Sequence, residues 1–305
     1  MYTDAQAAHV ATRHYIDGLS RIEIADEMGI SRFAVARILQ RARDSGIVRF
    51  EISSPSDLDL SLSNALQERY GLRNALAIVA PSDSLDAIRI ALGKASARLL
   101  GEIVTDDDVL GITAGRTLRE MATALESLAR ADVVQLGGVA AGIQESGVEL
   151  VRKIACVSGG TPHPLLAPLM TQSVEAAQLL KQEPAVRETM SHFPRITIAV
   201  VGIGSWNPAD SQVYLLARRL GLLGPLLEQG VCSEVGAITL DREGREIGLY
   251  TDRSIAIDST ALRKIPEVVA VAGGREKTEA IAATLRSGLI TSLVCDTGVA
   301  RALLS

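Results

Sequence analysis

Along the first fifty residues, apolar side chains recur at helical spacing in three short blocks parted by glycine or serine. Ala7, Val10, Ala11, His14 and Tyr15 share one face of a helix over about 3–17, and Gly18 is expected to cap its C-terminus. Ser20 opens a second helix, about 20–28, with Glu23 three residues on, the spacing of a capping box. Ile22, Ala25 and Met28 are its expected inward positions. Gly29 turns the chain. Ser31 caps a third helix that runs through Arg43, with Ala34, Val35, Ile38, Leu39 and Ala42 as its apolar stripe. Residues 47–53, IVRFEIS, alternate and predict a short strand, a small wing.

The pattern changes at Ser53-Ser54-Pro55-Ser56-Asp57, a turn-rich break that divides the chain into domains 1–53 and 54–305. A helix at about 59–70 follows, with Leu60, Leu62, Leu66 and Tyr70 as its contacts, at a dimer seam or against its own domain. Beyond it, short apolar runs predict strands at 75–79, 108–112, 132–135, 153–156, 196–201, 235–239, 268–272 and 292–295. Helical segments fit between them at 85–103, 118–129, 165–180, 184–192, 211–220 and 276–286. Apolar strands alternating with helices define an α/β class with a doubly wound, mainly parallel sheet covered on both faces. Ligands of such sheets bind beyond the carboxyl ends of the strands, so the loops there are the places to search.

Charge alters the picture in one stretch only. The whole chain carries −5, yet 31–49 holds five arginines (Arg32, Arg37, Arg41, Arg43, Arg49) against Asp44. A basic stripe inside an acidic chain is the footprint of a phosphate-contacting element. With two short helices and a glycine turn in front of it, the third helix completes a helix-turn-helix. The expected DNA contacts are Ser20, Arg21, Ser31, Arg32, Phe33, Ala36, Arg37, Gln40 and Arg41. Arginine can bind guanine, and glutamine adenine, in bidentate fashion. The duller alternative is a helical hairpin packed on the rest of the chain.

Cys156, Cys232 and Cys295 form no CxxC pair, so buried free thiols are expected and neither a disulfide framework nor a metal site is. The N-terminus lacks a basic and apolar leader, and no apolar run is long enough to span a bilayer. A soluble, cytoplasmic protein is expected, with no membrane association.

Five places carry candidate ligand chemistry. Thr113, Ala114, Gly115, Arg116 and Thr117 lie where a strand gives way to a helix, whose first N–H groups suit an anion. Gln135, Gly137 and Gly138 follow the next strand. Gly202, Gly204, Ser205 and Trp206 follow another, and Trp206, the single tryptophan, is placed in a loop. Glu234, set just before a strand, suits two neighbouring sugar hydroxyls; the competing reading is a surface glutamate. Gly273, Gly274 and Lys277 precede the last long helix. A lysine in a first helical turn opposes the helix dipole, a conflict that an anionic ligand would relieve; a solvated lysine is the alternative.

The segments GLSRIEIADEMGISRFAVARILQRARDSGIV, VLGITAGRTLREM, VVQLGGV, VGIGSW and VAGGREKTEAIAATLRSGLI, in this order, resemble the SorC family of sugar-binding regulators, grouped with DeoR-type repressors. The resemblance implies a C-terminal domain similar to ribose-5-phosphate isomerase and glucosamine-6-phosphate deaminase. It implies operator DNA and a sugar, polyol or sugar-phosphate effector as partners, and a homodimer or homotetramer. No other cofactor is implied. Two positions depart from the family pattern: Ser233 replaces a glycine before the acidic residue, and Ala114 replaces an aromatic. The expected function is a non-enzymatic transcription regulator of a carbohydrate or polyol catabolic operon. The alternative is an isomerase- or deaminase-like enzyme with a DNA-binding segment; no base–acid constellation supports it, since His163 and His192 lie in proline-bearing stretches and His9 and His14 in the first helix.

Overall fold

The computed structural model describes residues 2–50, 57–140 and 147–305. The chain divides into two compact units, Met1–Pro55 and Ser56–Ser305. The expected boundary at 53/54 and residues 51–53 of the expected wing lie outside the described residues.

The first unit holds α1 (Asp4–Tyr15), α2 (Arg21–Met28) and α3 (Arg32–Asp44). Each helix has a side-chain cap: Thr3, Ser20 and Ser31 accept from the N–H groups of Gln6, Glu23 and Ala34. Glu23 returns the favour by accepting from the Ser20 N–H at 2.8 Å, so the capping box is complete. Helices this short are marginal alone; a shared core of Ala7, Val10, Ile24, Val35, Ile38 and Leu39 holds them. Gly29 ends α2 at φ +65°, a left-handed geometry that L side chains adopt at a penalty. Three expectations fail here. Ile22 is 58 % exposed and Ile24 takes the inward place, because the two lie roughly 200° apart around a helix of 3.6 residues per turn. The C-cap of α1 is Ile16, with Gly18 in the turn beyond. Ile47–Phe50 forms no strand; the Val48 N–H donates to the Ala42 carbonyl at 2.9 Å and draws the segment back onto α3.

The second unit runs α4 (Leu60–Tyr70), β1 (Asn74–Ile78), α5 (Leu85–Ile103), β2 (Val109–Ile112), α6 (Arg116–Ala124), β3 (Asp132–Gln135), α7 (Gly147–Ser158), β4 (Pro162–His163), α8 (Val174–Gln182), α9 (Pro184–Ser191), β5 (Ile198–Trp206), β6 (Ala209–Asp210), α10 (Gln212–Arg219), α11 (Leu223–Glu228), β7 (Ser233–Val235), β8 (Ile238–Leu240), α12 (Ser259–Leu262), β9 (Glu267–Val271), α13 (Thr278–Ser287), β10 (Ser292–Asp296) and α14 (Thr297–Leu304). Parallel pairing follows the order β1-β10-β9-β5-β2-β3-β4. Alternate residues of each strand enter opposite cores. Ala199 and Val201 of β5, with Val268 and Ala270 of β9, join the core that includes Leu66, Ile281 and Leu303. Ile198, Val200, Val269 and Val271 join the other, with Leu92, Met121 and Ile154. This is the doubly wound sheet that the apolar runs predict.

The sheet has a switch point between its neighbours β2 and β5: β2 leads to β3 on one side, and the next sheet strand after β5 is β9 on the other. Beyond the switch β5 continues and pairs antiparallel with β6 and β7, and β7 with β8, to make a cap. Trp206, Val213, Leu226 and Tyr250 form its own small core.

Several element expectations are corrected. Residues 153–156 belong to α7, where Leu150, Val151, Ile154 and Ala155 are buried at helical spacing; the strand beside β3 is β4. Residues 235–239 span two strands, because Gly236 turns the chain at φ +60°. The helix expected at 165–180 starts only at Val174, capped by Ser173. Pro164 and Pro168 lack the N–H a helix needs, and the Leu169 N–H instead donates to the Val139 carbonyl at 2.9 Å. The helix expected at 118–129 is α6, shifted toward Arg116 and ending at Ala124. α4 packs against β1 and α14 of its own unit, with Leu60 half exposed. Cys232 and Cys295 are buried, but Cys156 is exposed on α7.

Candidate functional site

On the first unit, Arg32, Phe33, Arg37, Gln40 and Arg41 are exposed along α3, and Ala36 is half-buried. Ser20, Arg21 and Ser31 are exposed at the helix starts. These residues differ in readiness. Arg37 has no ion-pair partner among the described residues. Phe33 is 66 % exposed, with the Arg32 guanidinium 5.0 Å from its ring centre. Gln40 donates to Asp44 at 2.7 Å and accepts from Arg43 at 2.6 Å, while Arg41 pairs with Asp4 at 3.0 Å.

On the second unit, a cleft of about 890 Å³, counting its open mouth, lies at the β2/β5 switch point, where doubly wound sheets hold ligands. Its walls bring together sequence-distant segments. Thr113, Ala114, Gly115, Arg116 and Thr117 follow β2; Gly137 and Gly138 follow β3; Gly202 and Gly204 belong to β5; Glu234 and Lys277 come from β7 and the turn before α13. The Gly202 N–H donates to Thr113 Oγ1 at 3.1 Å and ties the two switch strands together. Gly115 gives α6 no side-chain cap, so the first N–H groups of that helix face the cleft without one.

Glu234 is neither surface-exposed nor ahead of a strand. It is buried within β7, opposite Gly204 of β5. It accepts from the indole Nε1 of Trp206 and, at 2.6 Å, from Ser211 Oγ. Burial pushes its carboxyl up to about 7, against the pull of those two hydrogen bonds and of Lys277. Gly204 makes the arrangement possible: a Cβ there would lie 1.7 Å from Glu234 Oε1.

Lys277 is not solvated. Its side chain is 13 % exposed and its Nζ stands 2.9 Å from Asp210 Oδ2. Burial lowers its ammonium to about 8, and the like charges of Arg116 and Arg89 add to that. Arg116 also pairs with Asp210, and Arg89 stands 3.8 Å from it. Three cations therefore converge on one carboxylate, and Arg89 also pairs with the exposed Asp86 at 3.0 Å.

Five expected residues do not line the cleft. Gln135 is buried, where it donates to the Gly137 carbonyl at 2.6 Å and accepts from the Leu165 N–H at 3.2 Å. Trp206 ends β5 and is buried behind Glu234, not set in a loop. Ser205 is buried in the same strand. Gly273 and Gly274 shape the turn that delivers Lys277; the Gly274 N–H donates to Asp296 at 2.7 Å. Arg89, Asp210 and Ser211 line the cleft and escape sequence reasoning. Arg89 sits within a long amphipathic helix and Asp210 on a two-residue strand. The only signal was the polar pair before α10, which reads equally as a helix cap.

Among the described residues, no histidine lines the cleft; His163 and His192 stack on each other with ring centres 3.8 Å apart. No group of His, Cys, Asp and Glu among the described residues is placed to hold a metal ion, and no helix there is long and apolar enough to cross a membrane.

A cleft at the switch point of a doubly wound sheet, lined by cations and a buried carboxylate, defines a small-molecule-binding unit that follows the three-helix unit in the sequence. Residues 54–305 match the Sugar-bind family of sugar-binding domains. The chain belongs to this family. It is 29 % identical over 304 residues to the transcriptional regulator LsrR of Enterobacter sp. (strain 638), covering 98 % of this chain and 92 % of that one. LsrR of Escherichia coli (strain K12) is 28 % identical over 313 residues, with 100 % and 96 % covered. The full-length sorbitol operon regulator SorC of Klebsiella pneumoniae superposes with a TM-score of 0.74 at 23 % identity over 99 % of both chains. The sugar-binding domain of a DeoR regulator from Pseudomonas syringae gives 0.65 at 27 % identity, covering 80 % of this chain and 98 % of that one.

Proposed function

We propose that the protein regulates a carbohydrate or polyol catabolic operon by binding duplex operator DNA through α3 and an anionic sugar derivative in the cleft of the second unit. Glu234 accepts from the sugar hydroxyls. Arg116, Lys277, Arg89 and the uncapped N-terminus of α6 hold the anionic group. The observation that carries this reading is the cation trio set beside a buried carboxylate at the switch point. A pair of recognition helices in a homodimer or homotetramer would reach half-sites one helical turn, or a multiple, apart. The effector acts by differential affinity for the two arrangements of such an assembly.

The test is a thermal-shift screen of sugars, polyols and their phosphates, with hits carried to DNA next to the protein's own gene. A true effector at a hundred times its Kd stabilises by about 2.7 kcal/mol and alters operator occupancy. A set of compounds that neither shifts melting nor affects DNA binding defeats the proposal.

One observation favours the enzyme alternative: Glu234 is poised near neutrality, as a general base is. Its oxygens are engaged by Trp206 and Ser211, and the neighbouring Lys277, lowered to about 8, is held by Asp210 at 2.9 Å. No isomerisation of ribose 5-phosphate and no deamination of glucosamine 6-phosphate is expected; turnover of either by the purified protein reverses that assignment.

A further inference from the structure

The anion position of this cleft is already occupied by the protein itself. Asp210 lies on β6, across the turn from Trp206, and its side chain is 20 % exposed. One carboxylate oxygen meets the Arg116 guanidinium; the other stands 2.9 Å from Lys277 Nζ and 3.8 Å from Arg89. The three cations come from α5, α6 and the turn before α13. An ordinary structural ion pair needs one partner, and half-buried cations without a counter-charge are unfavourable. Asp210 lies within reach of all three at once, and Arg89 has a second, exposed partner in Asp86 at 3.0 Å.

Its neighbour holds the other half of the site. Ser211 caps α10 by accepting from the Tyr214 N–H at 2.9 Å, and it donates to Glu234 Oε1 at 2.6 Å. Two consecutive residues on one two-strand tip thus engage both groups that a sugar acid or sugar phosphate would use. A ligand entering the cleft exchanges with this tip on both sides.

The geometry points to Asp210 as a tethered internal anion that the effector's anionic group must displace, and so as the residue that decides which ligand charge the cleft admits. This rests on the anionic-effector reading above. A carboxylate held by its own chain acts at a high effective concentration, of the order of millimolar or more. A neutral polyol cannot take its place. A monoanion exchanges one charge for one and gains little. A dianion brings more charge to three cations than Asp210 supplies, and gains. Displacement releases the β6 tip and the cap of α10 together.

The test uses the full chain and its own reporter. Trp206 is the only tryptophan; its indole donates to Glu234 and its backbone pairs across the turn with Ala209. Inorganic phosphate, acetate and ribitol are titrated into the wild type, Asp210→Asn and Asp210→Ala, with binding read by calorimetry and by Trp206 emission. Both variants should bind phosphate at least tenfold more tightly than the wild type, and the preference for phosphate over acetate should narrow. In the wild type, phosphate should change Trp206 emission and ribitol should not. Phosphate affinity in folded variants that is equal to or below wild type overturns the inference, as does a wild-type emission unmoved by bound phosphate. Failure of phosphate to bind any of the three proteins overturns the anionic reading beneath it.

Discussion

The molecule carries two clusters of cations that prepare for anions in opposite ways. On α3 the arginines stand in water; Arg37 has no ion-pair partner among the described residues, and Arg41 keeps only an exposed contact with Asp4. In the cleft, Arg89, Arg116 and Lys277 are partly buried and share Asp210. Solvation accounts for the difference. Exposed charge is stabilised by water and screened by salt, so it can wait for a polyanion and release counterions when one arrives. Buried charge must be neutralised in advance. The first cluster is built for salt-dependent capture, the second for exchange.

Substitutions should separate the two, beginning with the largest effect. Gly204→Ala forces a Cβ into the Glu234 carboxylate and should lower the stability of the second unit by about 3 kcal/mol; unfolding monitored through Trp206 reads this, and an unchanged midpoint would mean the site relaxes at no penalty. Arg37→Ala should weaken operator binding by about 1–3 kcal/mol while leaving unfolding within about 0.5 kcal/mol of wild type. Gel-shift titrations at several salt concentrations check it; undiminished affinity removes Arg37 from the interface. Lys277→Gln should reduce affinity for an anionic effector about tenfold, or 1.4 kcal/mol, with affinity for a neutral polyol unchanged; equal losses for both would show that the lysine shapes the cleft and does not select charge.

The pH dependence is the most gradual effect, with a slope of at most about 1.4 kcal/mol per pH unit for each proton. Glu234 has a folded pKa of about 7, raised by burial above its ordinary 4.5. Its contribution is fully present below the ordinary value and is lost as pH rises through 7. Lys277 has a folded pKa of about 8, lowered from 10.5. Its contribution is present above the ordinary value and is lost as pH falls through 8. The effector-free cleft should therefore stabilise the fold least between about pH 7 and 8. Melting curves from pH 5 to 10, compared with Glu234→Gln and Lys277→Gln, test both slopes; α3 variants should leave them unaltered.

The same contrast explains what the sequence reveals. The first unit is written locally: Ser20 and Glu23, Gly29, and Ser31 with Ala34 sit within a few residues of their partners, so caps and turn are visible without a fold. The parallel sheet is visible because most of its strands have apolar runs at their centres. The cleft is not local. Glycine and threonines after β2 and glycines within β5 mark its walls, but Asp210 and Arg89 acquire meaning only when β6 and α5 arrive from elsewhere. The misread segment 153–156 has the same origin, since three apolar residues after Lys153 have no period of their own and take their identity from Leu150 and Val151 before them. Ile22 fails for a smaller reason: apolarity alone does not say which side of a short helix faces in.

β5 joins two kinds of pairing in one uninterrupted strand, parallel through Gly202 and antiparallel from Ile203 onward. A single inserted or deleted residue near its start would exchange the side chains of the two cores and turn Gly204 away from Glu234 in one move. Substitutions along this strand can accumulate one at a time; its length cannot drift without dismantling core and cleft together.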